Sequence, residues 1–432
     1  MESKSIRKPS TLSLRFFVLI GMLIYILPQV TEAQMQNIRF EHLTTDEGLS
    51  HSNVLCVLQD HYGYLWFGTF DGLNKYDGYE FKCYRYSDKD PNTIPNNIIR
   101  SLCEDHDGNL WIGTDEGLCL YNRDGDSFIR CNKENGYPID INFIVLSIFQ
   151  DNQHKLWLGT NGAGAFEYDP GSNQCTQYSH HEDNPNSISL NFISQIFEDS
   201  KGNLWFAAFG LDLFDRKTKT FTHHRHQEKN PHSLIGNGVL SIAEDTKGNL
   251  WISCNNAGLS RINLNELNEN IFINYQHNPQ NNQSLCNNLI LSLCADKNGG
   301  LWIGTQNGGL DFLQNDNKTF IHYKNDKSDP NTLNSNSIYS LCQDKIGDLW
   351  IGTFTGGVNV IHRAKLAFKH YKNLPGNPNS LSHNSVWGFD EDREGNIWIA
   401  TDGGGLNKFD PKTGNFKYGT FKFLTQRSLR VN

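Results

Sequence analysis

Short runs of alternating apolar and polar residues, separated by turn residues, make up most of the chain. The run Ser337–Cys342 has the period of two that is typical of a β-strand with one buried face. It leads into Asp344–Gly347, where Asp can accept backbone N–H bonds and Gly can supply a positive φ. The next run, Leu349–Thr353, ends in the small residues Gly and Thr, which let a neighbouring backbone approach closely. The pattern therefore predicts two strands joined by a tight turn.

Two further strands complete a repeating unit. A Gly-containing turn leads to a third strand such as Gly309–Leu313, and the fourth is short and aromatic, as in Phe320–Tyr323. A polar crossover, Asp329–Asn336, then leads to the next unit. No stretch combines helical periodicity with helix caps, so stacked helical pairs are excluded. The unit therefore predicts a four-stranded sheet.

One tryptophan marks the same position in eight copies of this unit. The segment Asp60–Thr69 recurs as Asp105–Thr114, and the copies are about 46 residues long. Four strands in a unit of that length are typical of a β-propeller blade, because radial packing of the blades hides their sheet edges. The repeated tryptophans are Trp66, Trp111, Trp157, Trp205, Trp251, Trp302, Trp350 and Trp398.

The chain also carries a device for closing a ring. Phe40–Leu43 followed by Leu49–Val54 parallels Phe368–Tyr371 followed by Leu381–Val386. The chain therefore begins with a fourth strand that can complete the last blade and leave no unpaired edge.

We therefore expect an all-β fold, with a seven-bladed β-propeller over residues 35–361. Residues 362–432 would form the first blade of a second, truncated propeller. The eighth repeat differs from the others in Trp387 and in the extra Gly of Asp402–Leu406, which favours this division. A single eight-bladed ring is the alternative.

The N-terminus has the order of a secretory signal. A cationic start precedes an apolar stretch, residues 16–30, that is too short to span a bilayer comfortably, and Thr31–Ala33 offers a small-residue cleavage site. We expect residues 1–33 to be a signal peptide, with an uncleaved membrane anchor as the alternative. Under either interpretation the rest of the chain is exported, and we expect a periplasmic location.

Charge and cysteine positions narrow the function further. The net charge is −9 and no basic stripe follows the N-terminus, which argues against a nucleic-acid partner. Three of the ten cysteines lie eight residues before a repeat tryptophan, where other repeats have Phe or Ala. A position that accepts these residue types is a core position, so we expect buried thiols rather than a disulfide framework. The three are Cys103, Cys294 and Cys342.

The unit Asp-x-x-Gly-x-Leu-Trp-x-Gly-Thr-x-x-Gly-Gly-Leu resembles the two-component regulator propeller repeat. Gly48–Ser50, Gln59–Asp60 and Trp66–Asp77 are especially similar to the first repeat of that family, and the resemblance extends over about residues 36–417. It implies the periplasmic sensor region of hybrid two-component systems of Bacteroides-type bacteria, whose usual ligands are oligosaccharides. The resemblance thus implies a ligand-binding sensor module in carbohydrate signalling.

Full members of that family carry two propellers, a β-sandwich, a transmembrane helix and a histidine kinase. None of the later parts is recognisable in this sequence, so the resemblance implies an isolated or truncated sensor half, which we expect neither to phosphorylate a substrate nor to bind DNA. The expected partners are an oligosaccharide and either a second copy of the chain or a membrane kinase half.

Departures from the repeat after the Gly-Thr pair are the best indicators of a ligand site. These loops share one mouth of the ring with the crossovers, and they carry aromatic faces for sugars together with amides and carboxylates for hydroxyl groups. The same residues could equally serve only to satisfy turns. The candidate ligand-binding residues are Phe70, Asp71, Asp115, Glu116, Phe209, Asn255, Asn256, Gln306, Asn307 and Phe354.

Metal and enzyme chemistry find little support in the sequence. His223–His226 lies on a predicted outer, solvated strand on which His224 and His226 share a face, without a neighbouring carboxylate or Cys. Asp105–Asp107 resembles only part of a calcium loop. We therefore expect no metal and no cofactor.

Two functions other than sensing remain open. One is a generic protein-interaction propeller. The other is a carbohydrate-active hydrolase or lyase, because sialidases and some lyases are propellers and the Asp-x-x-Gly-x-x-Trp element loosely resembles the sialidase Asp box. Such enzymes need a catalytic set that breaks the symmetry, and no such set can be assembled here, so we expect no enzyme.

Overall fold

The computed structural model describes residues 38–139, 142–363, 371–411 and 413–419. The predicted signal peptide, residues 1–33, lies outside the described residues. Over these ranges the regular elements are 32 β-strands and three short 3-10 helices. Within the same ranges no helix has both the length and the apolar character needed to cross a membrane. The 3-10 helices are Thr45–Glu47, Lys133–Asn135 and Leu267–Glu269.

The described strands form eight four-stranded antiparallel sheets. Blade 1 contains β2 (Val54–Gln59), β3 (Leu65–Thr69), β4 (Gly72–Tyr76) and β5 (Phe81–Tyr84). Blade 2 contains β6 (Ile99–Glu104), β7 (Leu110–Thr114), β8 (Gly117–Asn122) and β9 (Ser127–Arg130). Blade 3 contains β10 (Val145–Gln150), β11 (Leu156–Thr160), β12 (Ala165–Asp169) and β13 (Gln174–Tyr178). Blade 4 contains β14 (Gln195–Glu198), β15 (Leu204–Ala208), β16 (Gly210–Asp215) and β17 (Thr220–His224).

The remaining blades have the same order of strands, except that blade 7 takes its outer strand from the N-terminal end. Blade 5 contains β18 (Val239–Glu244), β19 (Asn249–Cys254), β20 (Gly258–Asn263) and β21 (Ile273–Tyr275). Blade 6 contains β22 (Ile290–Ala295), β23 (Leu301–Thr305), β24 (Leu310–Leu313) and β25 (Phe320–Tyr323). Blade 7 contains β26 (Ile338–Gln343), β27 (Leu349–Thr353), β28 (Val358–Ile361) and β1 (Glu41–Leu43). Blade 8 contains β29 (Val386–Glu391), β30 (Ile397–Thr401), β31 (Gly405–Asp410) and β32 (Asn415–Gly419).

Blades 1 to 7 form a closed ring. Each inner strand contacts the inner strand of the next blade, and β26 of blade 7 contacts β2 of blade 1. β1 pairs antiparallel with β28, with Glu41 opposite Val360. The prediction that the first strand completes the last blade of a seven-bladed propeller is thus confirmed. The chain divides into two compact units between residues 364 and 365, and blade 8 belongs to the second.

The repeated Asp and Trp are hydrogen-bonded to each other inside each described blade, and we call this pair the Asp–Trp clamp; it is buried in blades 1 to 7 and partly buried in blade 8. In blade 1, Asp60 Oδ1 accepts a hydrogen bond from the Tyr64 backbone N–H at 2.9 Å, and Asp60 Oδ2 accepts one from Trp66 Nε1 at 3.0 Å. Gly63 ends the turn with a φ of 95°. In all eight described blades the Asp–Trp distance lies between 2.8 and 3.0 Å. The aspartate therefore fixes both the turn and the indole.

A hydrogen bond from backbone to side chain joins neighbouring blades on the side of the Asp turns. The backbone N–H of His61 in blade 1 donates to Glu104 Oε2 of blade 2 at 2.7 Å. The same bond closes the ring, since the Lys345 N–H of blade 7 donates to Gln59 Oε1 of blade 1 at 2.8 Å.

Of the ten cysteines, the three predicted at core positions, Cys103, Cys294 and Cys342, lie on inner strands. All ten are free thiols in the structure. Cys103 lies on an inner strand, and burial raises the pKa of its thiol to about 12. Such a thiol is protonated at neutral pH and packs as a small apolar group.

Candidate functional site

The loops between second and third strands share one end of the ring with the crossovers. In blade 1 these are residues 69–72 and 49–53, and the other blades of the ring have equivalents; we call this end the loop face. The Asp115 N–H donates to the Ile98 carbonyl of its own crossover at 3.2 Å. The Gly72 N–H donates at 2.7 Å to Asn97 of the next crossover. All ten predicted ligand-binding residues lie on the loop face.

An aromatic ring and an ion pair meet between blades 1 and 2. Arg100 forms two hydrogen bonds to Asp115, Nε to Oδ1 at 2.6 Å and Nη2 to Oδ2 at 3.0 Å. The guanidinium carbon lies 5.8 Å from the centre of the Phe70 ring. The pair is partly buried, so the charges are fixed in place rather than freely solvated.

A groove of about 360 Å³ lies along blade 2, between the crossover that precedes this blade and the crossover that follows it. Its wall includes Glu116 and the Tyr86 ring, whose centre lies 5.4 Å from the Arg130 guanidinium carbon. Burial raises the pKa of the Cys131 thiol in the same wall, which is therefore uncharged at neutral pH. The lining residues are Tyr86, Pro95, Glu116, Leu118, Arg130, Cys131, Asn132 and Asn142.

Asp71 belongs to the same region. Its carboxylate accepts a hydrogen bond from Arg85 Nε at 3.0 Å and one from Asn97 Nδ2 at 3.3 Å. Asn97 precedes β6, so Asp71 connects the loop of blade 1 to the crossover of blade 2. The structure thus brings Phe70, Asp71, Asp115 and Glu116 to one sector of the loop face.

Blades 6 and 7 carry a second group of predicted residues. The Ser337 hydroxyl donates to Asn307 Oδ1 at 2.9 Å, and the Phe354 N–H donates to the Ser337 carbonyl at 2.9 Å. The Phe354 ring centre lies 5.7 Å from that of Tyr339. The Gln306 N–H bonds to Leu289 of its own crossover.

Ring closure connects these two groups. The Thr355 N–H of blade 7 donates to Asn53 Oδ1 of blade 1 at 2.7 Å, and the Asn53 N–H donates to His51 Nδ1 at 2.9 Å. The His51 ring centre lies 5.9 Å from that of Phe70. A continuous series of contacts therefore runs from blade 6 through blades 7 and 1 to blade 2. We call it the binding arc; its predicted members are Phe70, Asp71, Asp115, Glu116, Gln306, Asn307 and Phe354.

The other three predicted residues form a separate group on blades 4 and 5. Phe209 pairs with Gly238 across the two blades, and the Asn255 N–H donates to the Gly238 carbonyl at 2.6 Å. Arg225 lies over the Phe209 ring at 5.6 Å. Asn256 is exposed with a φ of 56°, a conformation that Asn tolerates in turns.

Sequence reasoning missed several residues of the loop face. Phe143 lies in the crossover before β10 and Phe192 in the crossover before β14, and the two side chains are 44% and 37% exposed. The repeat position of Phe192 holds Asn53, Gly238 or Ser337 in other blades, and the position of Phe143 holds Asn97, Asn237 or Asn336. A comparison of crossovers, and not only of second-to-third-strand loops, would have found them. The sequence around Arg100 and Arg130 did not indicate a role in the site, because the residues that they contact there come from other segments of the chain.

The histidine segment differs from its prediction. His223 does not lie on a solvated face: its Nδ1 is 2.6 Å from Oδ1 of the fully buried Asp212, whose hydrogen bond raises the pKa of His223. Burial lowers the pKa of His224, which packs 5.6 Å from the Trp205 ring. β17 ends at His224, so His226 is not part of the strand. The third strand supplied the carboxylate that was absent nearby in the sequence.

Comparison with known families now identifies the repeat. Eight segments of the chain match the model of the two component regulator propeller, and they extend from blade 1 into blade 8. The chain belongs to this family. In this two-component regulator propeller the matched residues are 48–71, 93–116, 138–162, 187–210, 233–256, 284–307, 332–355 and 380–403.

One curated protein and two solved structures show what this propeller is similar to in sequence or in fold. Over 63 residues it is 48% identical to histidine kinase P4 of Formosa agariphila, a match covering 15% of this chain and 5% of the kinase. The extracellular domain of a protein described as a hybrid two component system from B. thetaiotaomicron superposes with a TM-score of 0.63 at 24% identity, over 89% of this chain and 55% of the other. Virginiamycin B lyase from Staphylococcus aureus superposes with a TM-score of 0.55 at 14% identity, over 76% of this chain and 100% of the lyase. At these identities the two structures show the fold alone. The chain spans only about 5% of the kinase and about half of the B. thetaiotaomicron structure.

Proposed function

We propose that this chain is the exported, ligand-binding sensor module of a two-component signalling receptor, and that its binding arc recognises an oligosaccharide. The observation that carries the proposal is the contrast between the two parts of each blade. The Asp–Trp clamp repeats unchanged around the ring, whereas the loop face differs from blade to blade and gathers aromatic rings, fixed ion pairs and amides.

The chemistry of the binding arc suits a sugar. Phe70 and Phe354 offer flat apolar faces for the C–H side of a pyranose ring. Arg100 holds the Asp115 carboxylate in one orientation, and the oxygens of this carboxylate can still accept hydrogen bonds from sugar hydroxyl groups. Glu116 adds a second carboxylate at the groove. The groove volume of about 360 Å³ falls near the lower end of the range for small-molecule sites, roughly 300–1,000 Å³.

The relatives support the signalling context. A two-component receptor for an external ligand needs a sensor outside the cytoplasm, and the B. thetaiotaomicron structure with the same fold is an extracellular domain. In this proposal the present chain lies in the periplasm and acts with a membrane kinase half or with a second copy of itself. Ligand bound across the loop face would shift such an assembly and so signal through the membrane.

The proposal is tested by measuring the melting temperature of the purified chain with each member of an oligosaccharide panel. One fragment should raise the melting temperature, because a ligand that binds the folded state stabilises it by mass action. Titration calorimetry should then show that Phe70→Ala weakens binding of that fragment by roughly tenfold or more, since burial of a Phe side chain contributes about 1.5–3 kcal/mol.

Tyr79→Ala is the matched control. Tyr79 is 93% exposed in the turn between β4 and β5, at the end of the ring opposite the loop face, so its removal should leave the affinity unchanged. A panel without any hit, combined with a protein captured on the loop face, would favour an interaction propeller instead. Release of new products from the panel would favour a hydrolase or lyase.

A further inference from the structure

Blade 6 brings together three metal-ligating side chains from three segments. Cys286 lies in the crossover before β22, Asp311 on β24 and His322 on β25. Their ligand atoms all lie within 4.8 Å of one another, and this is the one such group that the described residues contain. Asp311 is fully buried and the other two side chains are partly buried. Thiolate, carboxylate and imidazole are all ligands that Zn²⁺ accepts.

The imidazole of His322 is already oriented as a metal ligand. Its Nε2 lies 2.8 Å from the Asn282 carbonyl oxygen, which can only accept, so Nε2 carries a hydrogen and donates it. Its Nδ1 faces Asp311 Oδ1 at 2.6 Å. A backbone carbonyl that holds one ring nitrogen in this way fixes the tautomer and the ring direction of metal-binding histidines.

The other two side chains are also held in place. The Cys286 N–H donates to Asp311 Oδ2 at 2.8 Å, which fixes the carboxylate. The Cys286 Sγ lies 3.5 Å from the Thr305 hydroxyl oxygen. Because that hydroxyl donates its hydrogen to the Gly309 carbonyl, its oxygen is available to accept a hydrogen bond from the Cys286 thiol. Burial raises the pKa of the Cys286 thiol, so the metal-free thiol is protonated at neutral pH.

We infer that Cys286, Asp311 and His322 form a zinc site. Zn²⁺ would take the Cys286 sulfur, one Asp311 oxygen and His322 Nδ1, with the fourth position next to Thr305 open to water. Binding releases two protons to solvent, one from the thiol and one from Nδ1, and leaves thiolate and carboxylate to balance the two charges of the ion. Two ligands about 2.0 Å from a tetrahedral ion are about 3.3 Å apart, so the His322–Asp311 pair must open by several tenths of an ångström.

Blade 4 provides an internal control with one atom changed. His223 Nδ1 lies 2.6 Å from Asp212 Oδ1, its Nε2 lies 3.0 Å from the Pro185 carbonyl, and the Ser189 N–H donates to Asp212 Oδ2 at 2.8 Å. The arrangement thus reproduces that of blade 6, with a hydroxyl in place of the thiol. A neutral hydroxyl is a weak zinc ligand, so blade 4 lacks the third anionic or nitrogen donor.

The test compares the zinc content of the wild-type chain and Cys286→Ser after equilibration with Zn²⁺ in a reducing buffer and removal of free metal. We expect about one zinc ion per wild-type chain and none in the variant. Cobalt should give a thiolate charge-transfer band with the wild-type chain alone. We expect Cys286→Ser to fold, because serine already occupies the equivalent position in three other blades, as Ser50, Ser189 and Ser382.

The converse variant, Ser189→Cys, should gain a second zinc ion, because it completes the same three ligands in blade 4. Equal zinc contents in the wild-type chain and Cys286→Ser would place the ion elsewhere and overturn the inference. Absence of zinc from both, with the cobalt band missing as well, would overturn it equally.

Discussion

At the scale of single residues, the repeated aspartate does more than begin a turn. Its second oxygen accepts the buried indole N–H, and in three blades of the described ring an arginine from the next blade also reaches it. The structure therefore uses one carboxylate to connect a turn, a core tryptophan and a neighbouring blade. The three ion pairs are Arg123–Asp60, Arg216–Asp151 and Arg363–Asp296.

We predict that Asp151→Ala destabilises the ring by about 3 kcal/mol or more, because it leaves the Trp157 N–H and Arg216 without their buried acceptor. The measurement is the denaturant midpoint followed by tryptophan fluorescence. Asp245→Ala is the matched variant. Asp245 accepts the hydrogen bond of Trp251 Nε1 at 2.8 Å but forms no ion pair with an arginine of the described residues. A loss as large for Asp245→Ala would show that the arginine contributes nothing.

His223 should make stability depend on pH. The hydrogen bond that its Nδ1–H donates to Asp212 raises the pKa of His223 above the ordinary value of about 6.5, although burial and Arg225 act in the opposite direction. Stability from this pair is therefore fully present below the unfolded-state pKa and is lost as pH rises through the raised one. The difference in melting temperature between the wild-type chain and His223→Gln should be largest near pH 6 and shrink toward pH 8.5.

Asp212→Asn is the companion variant for this measurement, because it removes the same interaction from the other side. Its melting temperature should follow the pH profile of His223→Gln. Parallel profiles for the wild-type chain and both variants would contradict the prediction.

At the scale of elements, the second strand sets the spacing between blades. A Cβ added at Gly113 would lie 2.3 Å from Ser101 Oγ and 2.8 Å from the Val145 carbonyl oxygen of the next inner strand. Such distances are sterically forbidden, so glycine allows β10 to lie against β7. The same relation holds at Gly352, where the neighbour is Val54 of blade 1.

We predict that Gly113→Ala costs about 1–3 kcal/mol of unfolding free energy, because the backbone of one blade must move away from the next. Gly388→Ala is the control: Gly388 lies on β29 with nothing within 4 Å of an added Cβ. That variant should be neutral or stabilise by up to about 1 kcal/mol. Equal effects measured by denaturant unfolding would refute the steric explanation.

The elements themselves were predictable from sequence, since alternation within runs such as Ser337–Cys342 and the Asp–Gly turns are local signals. The Asp–Trp bond was not, although both residues were recognised. Only the folded hairpin brings Trp66 Nε1 to Asp60, and nothing in the spacing specifies which oxygen accepts it. The Asp212–His223 pair was missed for a similar reason, because the partner lies on the preceding strand.

At the scale of the whole molecule, the sequence predicted a seven-bladed ring because its first strand repeats the pattern of a fourth strand. The composition of the binding arc could not be predicted in the same way. Phe354 and Phe70 are 284 residues apart in the chain (354 minus 70), and they belong to one arc only because blade 7 lies beside blade 1. The sector of the ring in which a loop lies depends on how the blades close into a circle, and the sequence of a single repeat does not contain that information.

Blade 7 draws β1 from the start of the ring and β26 to β28 from its end. A chain that emerges from its N-terminal end into its folding compartment can therefore stack its first six blades in order, but it cannot finish the circle until residue 361 has emerged. Until then β1 has no partner, and the exposed flanks of the growing stack are open to pairing with other chains. A product that ends before blade 7 is complete therefore cannot close the ring.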